Sequence, residues 1–523
     1  MKLSINKYKS LGFSLIMGTA MLLPGCTGDF DEINTSKTGV TTITKNELPF
    51  LFSRALQQAS YKEGTYQTAQ NLYSDLYSQY FATSTANFQT DRYFMHPTWI
   101  EAHWTPLYTE VVPQLLSLME NTEKTSAEYA LANIWWVFSF HRLTDHYGPI
   151  PYTKAGISAP SVGYDSQKDI YFDFFKRLDE AVATLKSQTE TTPYGEYDIV
   201  YQGDVSKWIR FANTLRLRLA LRISDVEPEM ARQQGETAIA AGVFTSLADE
   251  AVMKKSDSGN DFNGLATIAG WNEFRMSAAM ESVLKGYEDP RLSLFFQPAF
   301  GTKTYEGIRN GLSPAELGME QNNNNNASNI GTKWVVNTGS GSGWNRNLAT
   351  PQTIMTVAEA YFLLAEATIK GWETGGSAKD FYEQGIRASM NSWSVDAAVT
   401  EKYIQSSATP VAPGDQQNSP ALTNIPVKWG ATESIQREQI ATQKWLAIYP
   451  DGQEAWAEFR RTGYPKLYPV VNSVNDALPK TSRPRRIPFL QLEYQNNSAA
   501  MSEAVSLLGG PDSPTTPLWW DKN

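Results

Sequence analysis

The chain has almost no cysteine: Cys26 is the single thiol in 523 residues. One thiol cannot form an intrachain disulfide, and the same count excludes a CxxC redox pair and a cysteine-rich zinc site. Histidine is nearly as scarce. His96, His103, His141 and His146 form no H-E-x-x-H arrangement, which excludes a zincin, and no G-x-S-x-G nucleophile elbow occurs. His141 and Asp145 are one helical turn apart, with His146 adjoining. A metal site there needs a third ligand and an open position, whereas helix-end capping and core hydrogen bonding account for them without one. Beyond the N-terminus no segment approaches about 18 consecutive apolar residues, so nothing reads as a membrane-spanning helix. Positive charge is also in deficit: 45 Lys and Arg against 55 Asp and Glu give a net charge of −10. A chain without a basic stripe is a poor nucleic-acid binder.

What is present begins at the N-terminus. Lys2, Lys7 and Lys9 precede an apolar run from Leu11 to Leu23, softened by Gly12, Ser14, Gly18 and Thr19. A basic start and a short apolar segment describe a secretory signal peptide, and a membrane span needs about 20 apolar residues. Leu23-Pro24-Gly25-Cys26 resembles a bacterial lipobox, with Pro24 a departure from the commonest pattern. Cys26 is then the lipid attachment point and the first mature residue; several acyl chains anchor stably where one does not. Without the three signal lysines, 42 basic side chains face 55 acidic ones, a net charge of −13. Thr27-Gly28-Asp29-Phe30-Asp31-Glu32 resembles the surface-export signal of certain Gram-negative lipoproteins, and also reads as a plain acidic tether.

Apolar residues recur at helical spacing over most of the chain. The pattern predicts helices over 46–60, 66–82, 98–120, 126–146, 167–187 and 204–225. In 204–225 Trp208, Phe211, Leu215 and Leu219 form the stripe, and Arg210, Arg216, Arg218 and Arg222 the solvated or ion-paired faces. Ala358, Tyr361, Ala365 and Ile369 stripe a helix that should stop at Gly371, and Ser377-Ala378-Lys379-Asp380 looks like a capping box opening its partner. Such pairs suggest tetratricopeptide-like stacking, although no strict 34-residue repeat is visible. Long irregular segments intervene at 83–97, 145–166, 188–203, 254–273, 297–349 and 407–428. Loops of that length are uncommon unless functional. The Asn322–Asn326 run and Gly339–Gly343 read as low-complexity and mobile. The expected organisation is a signal peptide (1–25), an acidic tether (26–45), helical parts at 46–225 and 351–523, and an irregular subdomain at 226–350.

Several blocks carry a family resemblance. They include "DFDEIN" at the mature start, "HRLTDHYGPIPYTKA" at 141–155, "FRMSAAMESVLKGYEDPRLSLFF" at 274–296, "EAYFLLAEATIKGW", "IATQKWLAIYPDGQEAWAEFRRTGYPKL", "RPRRIPFLQLEYQNN" and the terminal "TPLWWD". In collinear order across nearly the whole mature chain, they resemble the SusD/RagB family of outer-membrane lipoproteins, in its SusD-like branch. The resemblance implies a mostly α fold, with four tetratricopeptide-like helix pairs as scaffold and an irregular ligand-binding subdomain. It implies a nutrient-capture protein at the cell exterior, binding an oligosaccharide or a peptide without cleaving it. It also implies a SusC-type TonB-dependent transporter as partner, and no cofactor.

Two other functions stay open on the residues: a lipid-anchored secreted hydrolase, and a structural tetratricopeptide-like adaptor. The most tempting carboxylate pair for hydrolysis is Glu454 with Glu458, which ion pairing with neighbours such as Arg460 and Arg461 explains more simply. Arg483, Arg485 and Arg486 read as partners of acidic helix ends. A capture site needs exposed aromatic faces and a few polar groups. Trp104, Tyr108, Trp135, Trp208, Trp445, Trp519 and Trp520 fall in stripes or family blocks and read as core. Phe88, Tyr93, Phe94, Phe262, Trp271, Trp334 and Trp344 fall in loops. The candidate site is Phe88, Tyr93 and Trp271 as platforms, with Asn263, Asn272 and Arg275 as hydrogen-bonding groups. Trp271 could equally pack the start of the 274–286 helix.

Overall fold

The structure, a computed structural model, describes residues 43–59, 63–259, 261–479 and 481–523. The signal peptide, Cys26 and the acidic residues Asp29, Asp31 and Glu32 lie outside them. Chain contacts separate Met1–Glu47 from a second unit, Leu48–Asn523. In the first, the Thr44 backbone N–H donates to the Glu47 carboxylate at 2.7 Å.

The second unit is mostly helical. Its principal helices are α1 (Leu48–Ala59), α2 (Val112–Glu120), α3 (Ala127–Tyr147), α4 (Gln167–Lys186), α5 (Val205–Arg222), α6 (Pro228–Ala241), α7 (Gly264–Ala269) and α8 (Ala278–Gly286). They continue with α9 (Val357–Ile369), α10 (Ala378–Ser392), α11 (Ala397–Ile404), α12 (Glu433–Ala447), α13 (Gly452–Thr462), α14 (Gln491–Asn496) and α15 (Ser498–Leu507). Pairs α1/α2, α3/α4, α5/α6 and α9/α10 pack together, and α9 also packs on α12. This is a tetratricopeptide-like scaffold, and the pairing of α6 with α5 continues it past residue 225.

Side-chain caps set where these helices begin. Ser126, Ser166, Asp204, Ser277, Thr356, Ser377 and Asp451 each accept a first-turn backbone N–H, satisfying donors that have no partner within the helix. At Ser377 the hydroxyl accepts from the Asp380 N–H at 3.1 Å and donates to the Asp380 carboxylate at 2.7 Å. Helix α9 ends as its sequence suggests. Gly371 takes φ +77°, and the Trp372 N–H reaches back to the Ala367 carbonyl at 3.0 Å, closing a Schellman turn.

Two expected helices break up. The 66–82 pattern becomes a π-helical segment, Gln67–Asp75, and then turns at Gln79 (φ 54°) into strand β1 (Phe81–Thr83). The partner of β1 lies almost two hundred residues away, beyond the reach of local periodicity. The 98–120 pattern splits into Ile100–Ala102, a π-helical Leu107–Val111 and α2. Pro106 and Pro113 lie within that span, and neither has a backbone N–H to continue a helix.

The strands are short. They are β1, β2 (Ala251–Met253), β3 (Phe274–Met276), β4 (Val335–Asn337), β5 (Trp344–Arg346) and β6 (Gln352–Met355). They pair antiparallel as β1 with β3, β2 with β6, and β4 with β5.

The centre of the scaffold is charged as well as apolar. Arg216, Arg218 and Arg222 are buried, which overturns a solvated α5 face at those positions. The Arg218 guanidinium forks onto Glu359 of α9 at 2.6 and 2.7 Å, and Arg222 donates to Glu454 of α13 at 2.7 Å. Arg461 grips Glu366 at 2.6 Å and Glu458 at 2.7 Å, while the Lys444 ammonium lies 3.1 Å from Glu458. Charges this deep are tolerated only when paired and hydrogen-bonded. Nearby, Asp145 accepts from the Tyr171 hydroxyl at 2.6 Å and the Trp520 indole at 2.8 Å. His146 bonds the Arg142 carbonyl at 2.8 Å, whereas the buried His141 ring has no hydrogen-bond partner among the described residues. The arginines near the C-terminus find other partners than helix ends. Arg485 and Arg486 pair with Asp521 and Asp512 in the last segment of the chain, and Arg483 lies over the Phe459 ring at 4.3 Å.

Candidate functional site

The β1–β3 pair sets Phe81, Ala82 and Thr83 opposite Met276, Arg275 and Phe274. The ladder runs on into the loops: the Ser84 N–H donates to the Glu273 carbonyl at 3.0 Å, and its hydroxyl to the Asn272 carbonyl at 3.1 Å. The irregular 84–99 segment therefore leaves the sheet where 270–273 enters it.

Asn272 and Arg275 join two more loops to this point. Asn272 has φ 63°, a left-handed conformation that Asn tolerates better than most residues. Its side-chain oxygen accepts from Arg275 at 2.8 Å, and its carbonyl accepts from the Asn324 amide at 2.9 Å. Its own amide reaches the Ser342 carbonyl of the β4–β5 hairpin at 3.4 Å. Arg275 is fully buried; its guanidinium donates to the carbonyls of Phe274 and Asn324 at 2.8 and 3.2 Å and stands 5.9 Å from the Trp344 ring. Burial brings it down to about 9. Arg275 is thus a brace that, with Asn272, ties these loops together, not an exposed group that could meet a ligand.

The low-complexity stretches are held as well. Asn322 donates to the Glu316 carbonyl at 2.9 Å and Asn326 to the Glu320 carbonyl at 2.9 Å, while Asn323 accepts from the backbone of Asn325 at 2.9 Å. In the hairpin, Asn337 accepts from the Gly339 N–H at 2.7 Å and Ser340 from the Gly343 N–H at 3.0 Å. Asn, Ser and Gly are the residues that build such hydrogen-bonded turns.

The six candidate residues separate. Trp271, 44% exposed, sits directly after α7, and Asn272 beside it is partly exposed. Phe88 is half-buried, its ring edge-on to Trp99 at 5.8 Å. Trp99 stacks on His96 at 4.1 Å, and the exposed Phe94 meets the other side of that pair. Trp99 falls inside the 98–120 span that reads as helix, so its exposure to the 84–97 loop is not legible in the sequence pattern. Tyr93 is buried edge-on against Tyr77 at 5.7 Å. Asn263 is buried too; it caps α7 through the Ala266 N–H at 3.0 Å and donates to the Thr350 carbonyl at 2.9 Å. Tyr93, Asn263 and Arg275 are therefore structural. Among the loop aromatics, Trp334 is also core, at 3% exposure.

What remains at the surface is a set of exposed or half-exposed rings beside loops rich in amide groups. Such a surface can cover the apolar face of a sugar ring and bond its hydroxyls. The Glu454 and Glu458 carboxylates are consumed by the buried arginines. Among the described residues no group of three His, Cys, Asp or Glu could hold a metal ion, and no helix is long and apolar enough to cross a membrane.

Comparison with known proteins bears on this surface. The SusD-like family model, described as SusD and RagB outer membrane lipoprotein, matches residues 32–521. A chitin-binding SusD homologue from Flavobacterium johnsoniae superposes with a TM-score of 0.82 at 35% identity, over 91% of this chain and 98% of that one. SusD homologues from Bacteroides thetaiotaomicron (29% identity, TM-score 0.81) and Bacteroides uniformis (32%, 0.80) each match over 91% of this chain and 99% of theirs. The comparison with curated proteins returns no match.

Proposed function

The chain belongs to the SusD-like family of outer membrane lipoproteins, and from that premise we propose that it captures an oligosaccharide at the cell exterior and delivers it to a SusC-type TonB-dependent transporter. Members of the family bind nutrients and are not enzymes. In this reading Cys26 carries the lipid, Asp29, Asp31 and Glu32 direct surface export, and the loops around Asn272 form the capture surface. The observation that carries it is Trp271: a large apolar ring left 44% exposed on a loop whose neighbours are all tied down. Exposed rings on fixed supports lose little conformational entropy when a ligand stacks on them. Because a relative at 35% identity binds chitin, oligomers of N-acetylglucosamine are the first ligands to test, beside other glycans and peptides.

A few stacking contacts at an open surface give modest affinity, with a Kd near micromolar, or about −8 kcal/mol. Trp271→Ala should weaken binding by roughly 1–3 kcal/mol, by analogy with base–aromatic stacking, and leave the melting temperature in place. Calorimetry beside a melting curve checks both. Unchanged affinity for every oligomer that the wild type binds would remove Trp271 from the site, and turnover of any of them would replace capture by hydrolysis.

A further inference from the structure

A separate cavity of about 280 Å³ lies against the β2–β6 pair, with none of the exposed loop rings in its wall. Its floor includes the Arg142–Asp451 pair, joined by two hydrogen bonds of 3.0 and 3.1 Å. Its rim carries Glu250, Lys333, Trp334 and Trp393. Three of these groups, Glu250, Lys333 and Trp334, have bonding capacity left over. Glu250 accepts from the Ser392 hydroxyl at 3.0 Å and the Val357 N–H at 3.2 Å, both on Oε1, so Oε2 has no partner among the described residues. The Lys333 ammonium stands 5.4 and 4.6 Å from the ring centres of Trp334 and Trp393, and forms no hydrogen bond or ion pair among the described residues. Trp334 is 3% exposed, and its indole N–H likewise has no acceptor among them.

We propose that this cavity is a second binding site, which takes one neutral sugar ring, such as the terminal residue of a glycan, between Glu250, Lys333 and the two indoles. The site goes beyond the capture surface and shares none of its exposed rings. A hydroxyl is both donor and acceptor. Sugar hydroxyls can therefore give a proton to Glu250 Oε2 and receive from Lys333 and the Trp334 N–H, while a C–H face lies on an indole. The volume is at the small end of ligand cavities, which run about 300–1,000 Å³, and so suits one ring. A zwitterion would pair with the same two charges, but stripping water from both of its own charges costs more than desolvating a neutral polyol.

The test uses the full mature chain with glucose and N-acetylglucosamine as probes, read by tryptophan fluorescence and by saturation-transfer NMR. The wild type should bind at least one of them at millimolar concentration. Lys333→Met and Glu250→Ala should each weaken that binding at least tenfold, with melting curves confirming that both variants fold. Leu492→Ala, at an exposed position outside the cavity wall, should leave it unchanged. Monosaccharide affinity that survives Lys333→Met and Glu250→Ala, or disappears in Trp271→Ala alone, overturns the proposal, as does a crystal soaked with the probe that holds only ordered water in the cavity. Oligosaccharide binding that survives Trp271→Ala but is lost in Lys333→Met would leave the cavity standing and overturn the surface reading instead.

Discussion

Asp75, in the π-helical segment, is fully enclosed beside α13 and accepts from the Gln70 amide at 3.0 Å. Burial pushes its carboxyl up to about 7, against hydrogen bonds that pull it down. A carboxyl raised in the folded state keeps its proton where the unfolded chain has lost it. Its contribution is complete below the unfolded value near 4 and is lost as pH rises through about 7. Asp75→Asn, which keeps the shape without the charge, should therefore gain on the wild type as pH rises from about 4 to 8, by up to about 4 kcal/mol. Urea unfolding at the two ends of that range checks the sign; a gain that shrinks with pH would mean the native state holds the carboxylate ionised. At this scale the sequence was only partly legible. The spacing of Arg218 and Arg222 says which residues share a helix face, but not that α9 and α13 would present acids to them. Likewise Trp271 and Arg275 lie four residues apart, and only the folded chain leaves the first exposed after α7 and encloses the second in β3.

Helices were the most legible part of the chain where their signals are local. Gly371 and Ser377 end α9 and open α10 as their chemistry demands, because a left-handed glycine and a hydroxyl cap act within one turn. Elements defined by distant partners were not legible, β1 foremost. The buried ions that link α5 to α9 are the clearest case of long-range pairing, and they can be tested. Arg218→Met leaves Glu359 without its forked partner and should cost about 3–5 kcal/mol. Adding Glu359→Leu should recover part of that loss, since a well-packed apolar pair often equals a buried ion pair in stability. Denaturant melts of the two variants decide it. A single variant within about 0.5 kcal/mol of wild type would mean the cluster does not hold these helices together.

For the whole molecule, the proposed function rests on a lipid at Cys26. If Cys26 is the proposed anchor, Cys26→Ala should abolish fatty-acid labelling and release the protein from the membrane fraction, because that residue would carry all of the acyl chains. Persistent labelling would exclude Cys26 as the anchor. Replacing Asp29, Asp31 and Glu32 by Ala should keep the lipid but shield the protein from external protease. Mild detergent extraction should bring a TonB-dependent transporter with the wild type, and a solitary protein in both detergent and cross-linked cells would count against the delivery model. Class and architecture were readable at this scale because they rest on many weak signals summed over the chain. The proposed ligand surface was not, since its four loops meet only after folding.

Those loops hang from a two-stranded ladder of three residues a side, while the helices are held by their own caps and ions. Recognition and architecture can therefore drift at different speeds. A lineage could exchange residues 84–99, 270–273, 322–326 and 338–343 for those of a cousin with another diet and keep the same scaffold, provided Asn272 and Arg275 travel with them. Chimeras built on that rule should inherit the donor's appetite and the recipient's melting temperature.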